Sequence, residues 1–194
     1  MAAVPSTMLP LGTSVPDFRL PDAVTGRDVS PADFADAKAL LVMFICNHCP
    51  YVQHVMPELG RVARDYHDDG LAVIAINSND LKAFPQDAPP AMKQLVEDQA
   101  WTFPFLMDES QEAAKAFQAA CTPDFYLFDK HRRLIYRGQL DDSRPKSEVA
   151  VTGRDLRAAI EATLGGKPVS PDQKASMGCN IKWTPGNEPE WFSG

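Results

Sequence analysis

Two cysteines separated by two residues, Cys46-Asn47-His48-Cys49, follow the apolar run Ala39 to Ile45 and precede a helical pattern that opens at Pro50. Thiols at this spacing can close a disulfide with each other, so they can take one from a substrate or hand one on. The reactive species is the thiolate, and the amides and dipole at a helix N-terminus stabilise it. On this reasoning Cys46 is the expected nucleophile. Cys49, one helical turn further in, is expected to resolve the mixed disulfide. His48 either stabilises the Cys46 thiolate when protonated or faces solvent with little effect, and Asn47 has no clear chemical role. No acid lies in Ala39 to Ile45 to accept a proton from Cys49. Glu58 and His54 on the following helix are the alternatives, although His54 reads as a surface residue.

The elements that position these residues can be read from hydrophobic spacing. Ala39 to Ile45 is short and uniformly apolar, as a central strand buried on both faces is. From Pro50 onward Tyr51, Val52, Val55, Met56, Leu59, Val62, Ala63 and Tyr66 recur at helical spacing, with a bend expected at Pro57 and an end at Asp68-Asp69-Gly70. Leu71 to Ile76 is the next parallel strand of a βαβ unit. Asn77 to Pro90 reads as a loop and Ala91 to Ala100 as an inserted helix. Phe103 to Asp108 is extended, and Ser110 caps a helix through Ala120. Phe125 to Phe128 and Leu134 to Tyr136 form a hairpin, and the last helix spans Glu148 to Leu164. Near the start, Ser30 and Pro31 open a helical turn.

This order, with Cys121-Thr122-Pro123 opening the hairpin, resembles the thioredoxin-like superfamily. Val15-Pro16-Asp17-Phe18 and Leu40-Leu41-Val42-Met43-Phe44 are similar to segments of its alkyl hydroperoxide reductase and thiol-specific antioxidant (AhpC/TSA) branch. Cys46-Asn47-His48-Cys49-Pro50-Tyr51-Val52 and the tail Gly178-Cys179-Asn180-Ile181-Lys182-Trp183 resemble a group of bacterial thioredoxin-family proteins. The resemblance covers nearly the whole chain. It implies an α/β fold with a central mixed sheet flanked by helices, an N-terminal extension, a helical insertion and a C-terminal tail. It also implies a cis peptide between Thr122 and Pro123, placing the Thr122 backbone beside the thiols to pair with an extended substrate strand.

Cys121 and Cys179 turn a two-thiol site into a four-thiol one. Cys121 is either a buried inert side chain or, beside the cis-proline loop, a neighbour of Cys46. Cys179 lies in a proline-rich tail and is either inert or an auxiliary thiol, if that tail folds across the site. Trp183, Trp191 and Phe192 are expected to pin the tail to an apolar groove.

A chain of 194 residues with 44% hydrophobic content and net charge −7 fits one domain over 1–194, with a core at about 12–166 and a tail at 167–194 packed on it. Its acidity argues against nucleic acid or an anionic membrane as partner. The N-terminus lacks the pattern of an export signal, so a cytoplasmic location is expected. The expected activity is thiol-disulfide exchange with a disulfide-containing protein or small-thiol substrate, served by a thiol electron donor and requiring no cofactor or metal. A peroxiredoxin-like antioxidant peroxidase is the alternative, although neither thiol has the Pro-x-x-x-Thr/Ser-x-x-Cys pattern. A Cys/His metal-binding module drawing on Cys46, Cys49, His48, His54, Cys121 or Cys179 is a second alternative, and lacks a second close-spaced ligand pair.

Overall fold

A computed structural model describes residues 3–192. The strands are β1 (Ala3–Pro5), β2 (Leu20–Pro21), β3 (Asp28–Val29), β4 (Ala39–Phe44), β5 (Leu71–Asn77), β6 (Phe105–Met107), β7 (Cys121–Thr122), β8 (Asp124–Phe128), β9 (Leu134–Gly138) and β10 (Met177–Asn180). The α-helices are α1 (Pro50–His67), α2 (Pro89–Asp98), α3 (Glu112–Ala116) and α4 (Arg154–Leu164). The main sheet has the order β6-β5-β4-β8-β9, with β4, β5 and β6 parallel and β8 and β9 antiparallel to their neighbours.

All of β4 is buried because each of its faces has its own core. Ala39, Leu41 and Met43 face a cluster built with α1 and α4, while Leu40, Val42 and Phe44 face one containing Phe117, Tyr126, Ile181 and Trp183. Two covered faces explain why the sequence shows an unbroken apolar run in place of alternation. Phe117 packs edge-on against Phe44, Tyr126 and Phe128, with ring centroids 5.3 to 6.0 Å apart.

Several boundaries differ from the sequence expectations. The helix expected from Ser110 to Ala120 is only Glu112–Ala116, because Gln111 takes a left-handed conformation (φ 64°) before it and Gln118 another (φ 50°) after it. The last helix starts at Arg154, not Glu148, after Gly153 at φ 67°. The turn at 31–34 is 3-10 in type, with the Asp33 carboxylate accepting from Ser30 N–H at 2.7 Å. Pro57 lies inside α1, which runs on past it to His67.

The largest addition concerns the tail. Its residues 177–180 form β10, the middle strand of a second sheet ordered β1-β10-β7, antiparallel on both sides. Trp183 anchors the segment beyond it, buried against the second core and edge-on to Trp191 at 5.8 Å.

Candidate active site

Strand β4 delivers the chain into Ile45 and Cys46, and Ile45 N–H bonds to Ile76 O at 3.0 Å, extending the β4–β5 pairing to the edge of the site. Helix α1 begins at Pro50. Proline suits this first helical position because its missing N–H would have had no partner, and it favours extended backbone in the residue before it. Cys49 accordingly sits at the N-cap with φ −74° and ψ 122°. This corrects the sequence reading: Cys49 is at the helix mouth, not one turn inside, and Cys46 lies three residues ahead of it in the loop. Both are buried, at 1% and 0% exposure.

The electrostatics follow from that placement. The Cys49 thiol is held down to about 4, first by a hydrogen bond from Cys46 and then by Cys179, Thr122 and the Val52 amide, with burial opposing. Cys46 is pushed well up by its hydrogen bond to Cys49, by burial and by the charge of Asp87, with Thr122 acting against the rise. The two thiols titrate as a coupled pair that shares one proton beside the amide-rich helix mouth.

Beside the thiols, the carboxylate of Asp87 is fully buried and organises the loop. One oxygen accepts from Asn47 N–H at 3.0 Å and His48 N–H at 3.2 Å. The other meets His48 Nδ1 at 2.6 Å and accepts from Asn79 Nδ2 at 2.8 Å. The His48 ring stacks on Phe84 at 5.0 Å, so it is clamped in place and does not swing in solvent. Cys46, His48 and Asp87 bring one polar atom each within 4.8 Å of one another. Three ligand atoms are one fewer than a closed structural zinc site takes, and the Asp87 oxygens already meet four nitrogens.

The Thr122–Pro123 peptide is cis and lies against both thiols. Cys46 Sγ is 3.6 Å from Thr122 Oγ1, and Cys49 Sγ is 3.2 Å from Thr122 O, to which its S–H donates when protonated. The edge of β7, expected to receive an extended substrate strand, is already occupied: Thr122 pairs with Cys179 and Cys121 with Asn180 of the chain's own tail. Gly178 permits this approach, since a Cβ there would stand 2.0 Å from Thr122 O and 2.6 Å from Thr122 C. Cys179, on the same strand, belongs to the buried cluster that holds Cys49. Cys121 is fully buried with its S–H toward Pro123 O at 3.6 Å, and burial pushes that thiol well up, as for an inert side chain.

The acids proposed from sequence do not serve the thiols. Glu58 is buried but bound by Arg61 at 2.6 Å and Arg157 at 2.7 Å, which makes it a brace between α1 and α4. His54 is half-buried beside Pro123, with Nε2 enclosed, so it is not the surface residue its type suggested. The acids that sequence reasoning missed are Asp87 and Asp124. Asp87 sits in a loop whose Asn77-Ser78-Asn79 start and Asp87 end close on each other through polar side chains.

Asp124 follows Pro123 and pairs in register with Phe44, on the sheet face away from Cys46. Burial raises its pKa to about 7, against a bond from Tyr126 O–H at 2.9 Å. A raised acid contributes stability that is complete below its unfolded pKa of about 4 and is lost as pH rises through the folded value. Cys49 works in the opposite direction: its contribution is present above about pH 8.5 and is lost as pH falls through its lowered value. Comparison with a variant therefore isolates Asp124. Asp124→Asn is expected to melt higher than the parent at about pH 8, by an amount worth a few kcal/mol, with the gap closing toward about pH 4. Equal melting temperatures at both pH values would contradict this.

A strand, a two-thiol helix mouth and a cis-proline loop meeting at the end of a mixed sheet define a thioredoxin-like fold. The chain belongs to the Redoxin family, whose model matches residues 10–156. It is 51% identical to an uncharacterized conserved protein of Geobacillus kaustophilus, covering 95% of this chain and 98% of that one at a TM-score of 0.93. It is 23% identical over 128 residues to the thiol-disulfide oxidoreductase ResA of Geobacillus thermodenitrificans, spanning 66% of this chain and 68% of the relative. The fold is shared with the thioredoxin domain of a thiol-disulfide oxidoreductase of Bacteroides vulgatus, at 18% identity and a TM-score of 0.57 over 66% of this chain and 88% of that one.

Proposed function

We propose that the chain is a thiol-disulfide oxidoreductase whose dithiol is Cys46 and Cys49. The observation that carries this reading is a pair of buried thiols set against a cis-proline loop, one of them at a helix N-cap. Cys46 passes its proton to Cys49 as it attacks a substrate disulfide RS–SR, forming Cys46–SR and releasing RS⁻. Cys49 gives that proton to the departing sulfur and then attacks Cys46, forming Cys46–Cys49 and releasing the second RS⁻. A dithiol donor reverses the sequence by two further exchanges. His48, held by Asp87 with a ring nitrogen within 4.8 Å of Cys46 Sγ, is placed to tune that thiolate.

Because β10 covers the β7 edge and Cys46 is almost enclosed, the substrate this geometry favours is a small disulfide, not an extended polypeptide strand. The test is dithiothreitol-driven reduction of oxidised glutathione, with insulin as the polypeptide comparison. Turnover of the small disulfide above the rate of free dithiol is expected, and no acceleration of either substrate would overturn the proposal. Peroxide consumption no faster than that of free cysteine, followed by stopped flow, separates this activity from a peroxidase.

A further inference from the structure

We propose that Cys179 is a third redox-active thiol of this centre, which attacks Cys49 of the Cys46–Cys49 disulfide to give Cys49–Cys179 and set Cys46 free. The proposal rests on the dithiol function above. Its basis is a strand of the chain itself lying where a substrate strand was expected, with Cys179 in register with Thr122. Cys179 is 4% exposed and belongs to the same apolar cluster as Cys46 and Cys49. The strand is held from both sides, by Ala3 opposite Cys179 on β1 and by Thr122 on β7. Gly178 leaves no room for a side chain against Thr122, so the tail is built into contact and not loosely apposed. Cys49 Sγ stands 3.2 Å from the carbonyl oxygen of Thr122, the register partner of Cys179, so Cys49 lies between the loop thiol ahead of the helix and the tail thiol.

The step balances without any added reagent. The Cys179–Cys49 bond forms, the Cys46–Cys49 bond breaks, and the electron pair leaves on the Cys46 sulfur, which takes the proton given up by Cys179. The oxidised centre then has two isomers, one with Cys46 closed and one with Cys46 open for a further exchange.

Disulfide mapping tests this on full-length protein in a Cys121→Ser background. The protein is oxidised with limiting diamide, quenched in acid at successive times, alkylated and mapped by mass spectrometry. Both Cys46–Cys49 and Cys49–Cys179 disulfides are expected, the second growing at the expense of the first. In Cys46→Ser/Cys121→Ser, nearly all chains are expected to carry Cys49–Cys179. The proposal is overturned if Cys46–Cys49 alone accumulates at all times in the first protein, a result independent of how the double variant folds. It is also overturned if Cys49 and Cys179 stay unpaired in a folded double variant, or if, in the first protein, Cys49–Cys179 accumulates ahead of Cys46–Cys49. Absence of Cys46–Cys49 altogether would instead remove the dithiol function on which the proposal stands.

Discussion

Cys46→Ser is expected to bring dithiol-driven disulfide reduction down to the rate of the free dithiol, whereas Cys49→Ser is expected to stall at a mixed disulfide on Cys46. The asymmetry comes from the shared proton. Without Cys46 no sulfur can receive the substrate and still be resolved by an N-cap thiolate beside it. Without Cys49 the attack on substrate is slowed by loss of the proton acceptor, but the adduct, once made, has lost its main resolving group. Intact-mass measurement after incubation with oxidised glutathione reads the difference directly. A stable glutathione adduct is expected on most chains of Cys49→Ser and on few of the parent. Single variants in these acting-together groups do not add, so the double variant is expected to be no slower than Cys46→Ser. Parent-like turnover by Cys46→Ser would contradict the assigned role.

Gly178→Ala is expected to be the most damaging single methyl group in the tail. The new carbon would stand 2.0 Å from the Thr122 carbonyl oxygen, a backbone atom that no side-chain rotation can move aside. Overpacking of this kind costs about 1–3 kcal/mol where the surroundings can shift, and separating β10 from β7 adds the loss of ladder hydrogen bonds. For a chain of this size each kcal/mol lowers the melting temperature by roughly 2–4 °C, so a fall of roughly 5–10 °C is expected. The same separation uncovers the thiols, which should be alkylated by iodoacetamide faster than in the parent. Unchanged melting and unchanged alkylation together would show that the tail does not seal the site.

Much of this arrangement was legible in the sequence. The uniform apolar run at 39–45, the helical spacing from Pro50 and the strand at 71–76 each have local patterns that burial on two faces, amphipathic packing and parallel pairing require. The resemblance implied the cis peptide at Thr122–Pro123, which the structure has. What escaped reading depends on contacts between distant segments. Asp87 reaches Asn47 and His48 across 40 and 39 residues, and nothing in the loop at 77–90 marks that carboxylate as buried. Tail residues 177–180 have weak strand character and become a strand only because β7 offers them an open edge and Gly178 fits against Thr122. The helices at 112–116 and 154–164 start later than their spacing suggested, each after a residue in the left-handed conformation. Boundaries are the least certain feature of a periodic pattern.

The most direct measurement is an equilibrium redox titration of the protein against glutathione buffers, quenched in acid, with each cysteine followed by differential alkylation and peptide mapping. In a Cys179→Ser background, Cys46 and Cys49 are expected to lose their free thiols together, in one two-electron transition that yields their mutual disulfide. Retention of both as free thiols in the most oxidising buffer, or their separate conversion into glutathione adducts, would contradict a redox-active pair at the mouth of this helix.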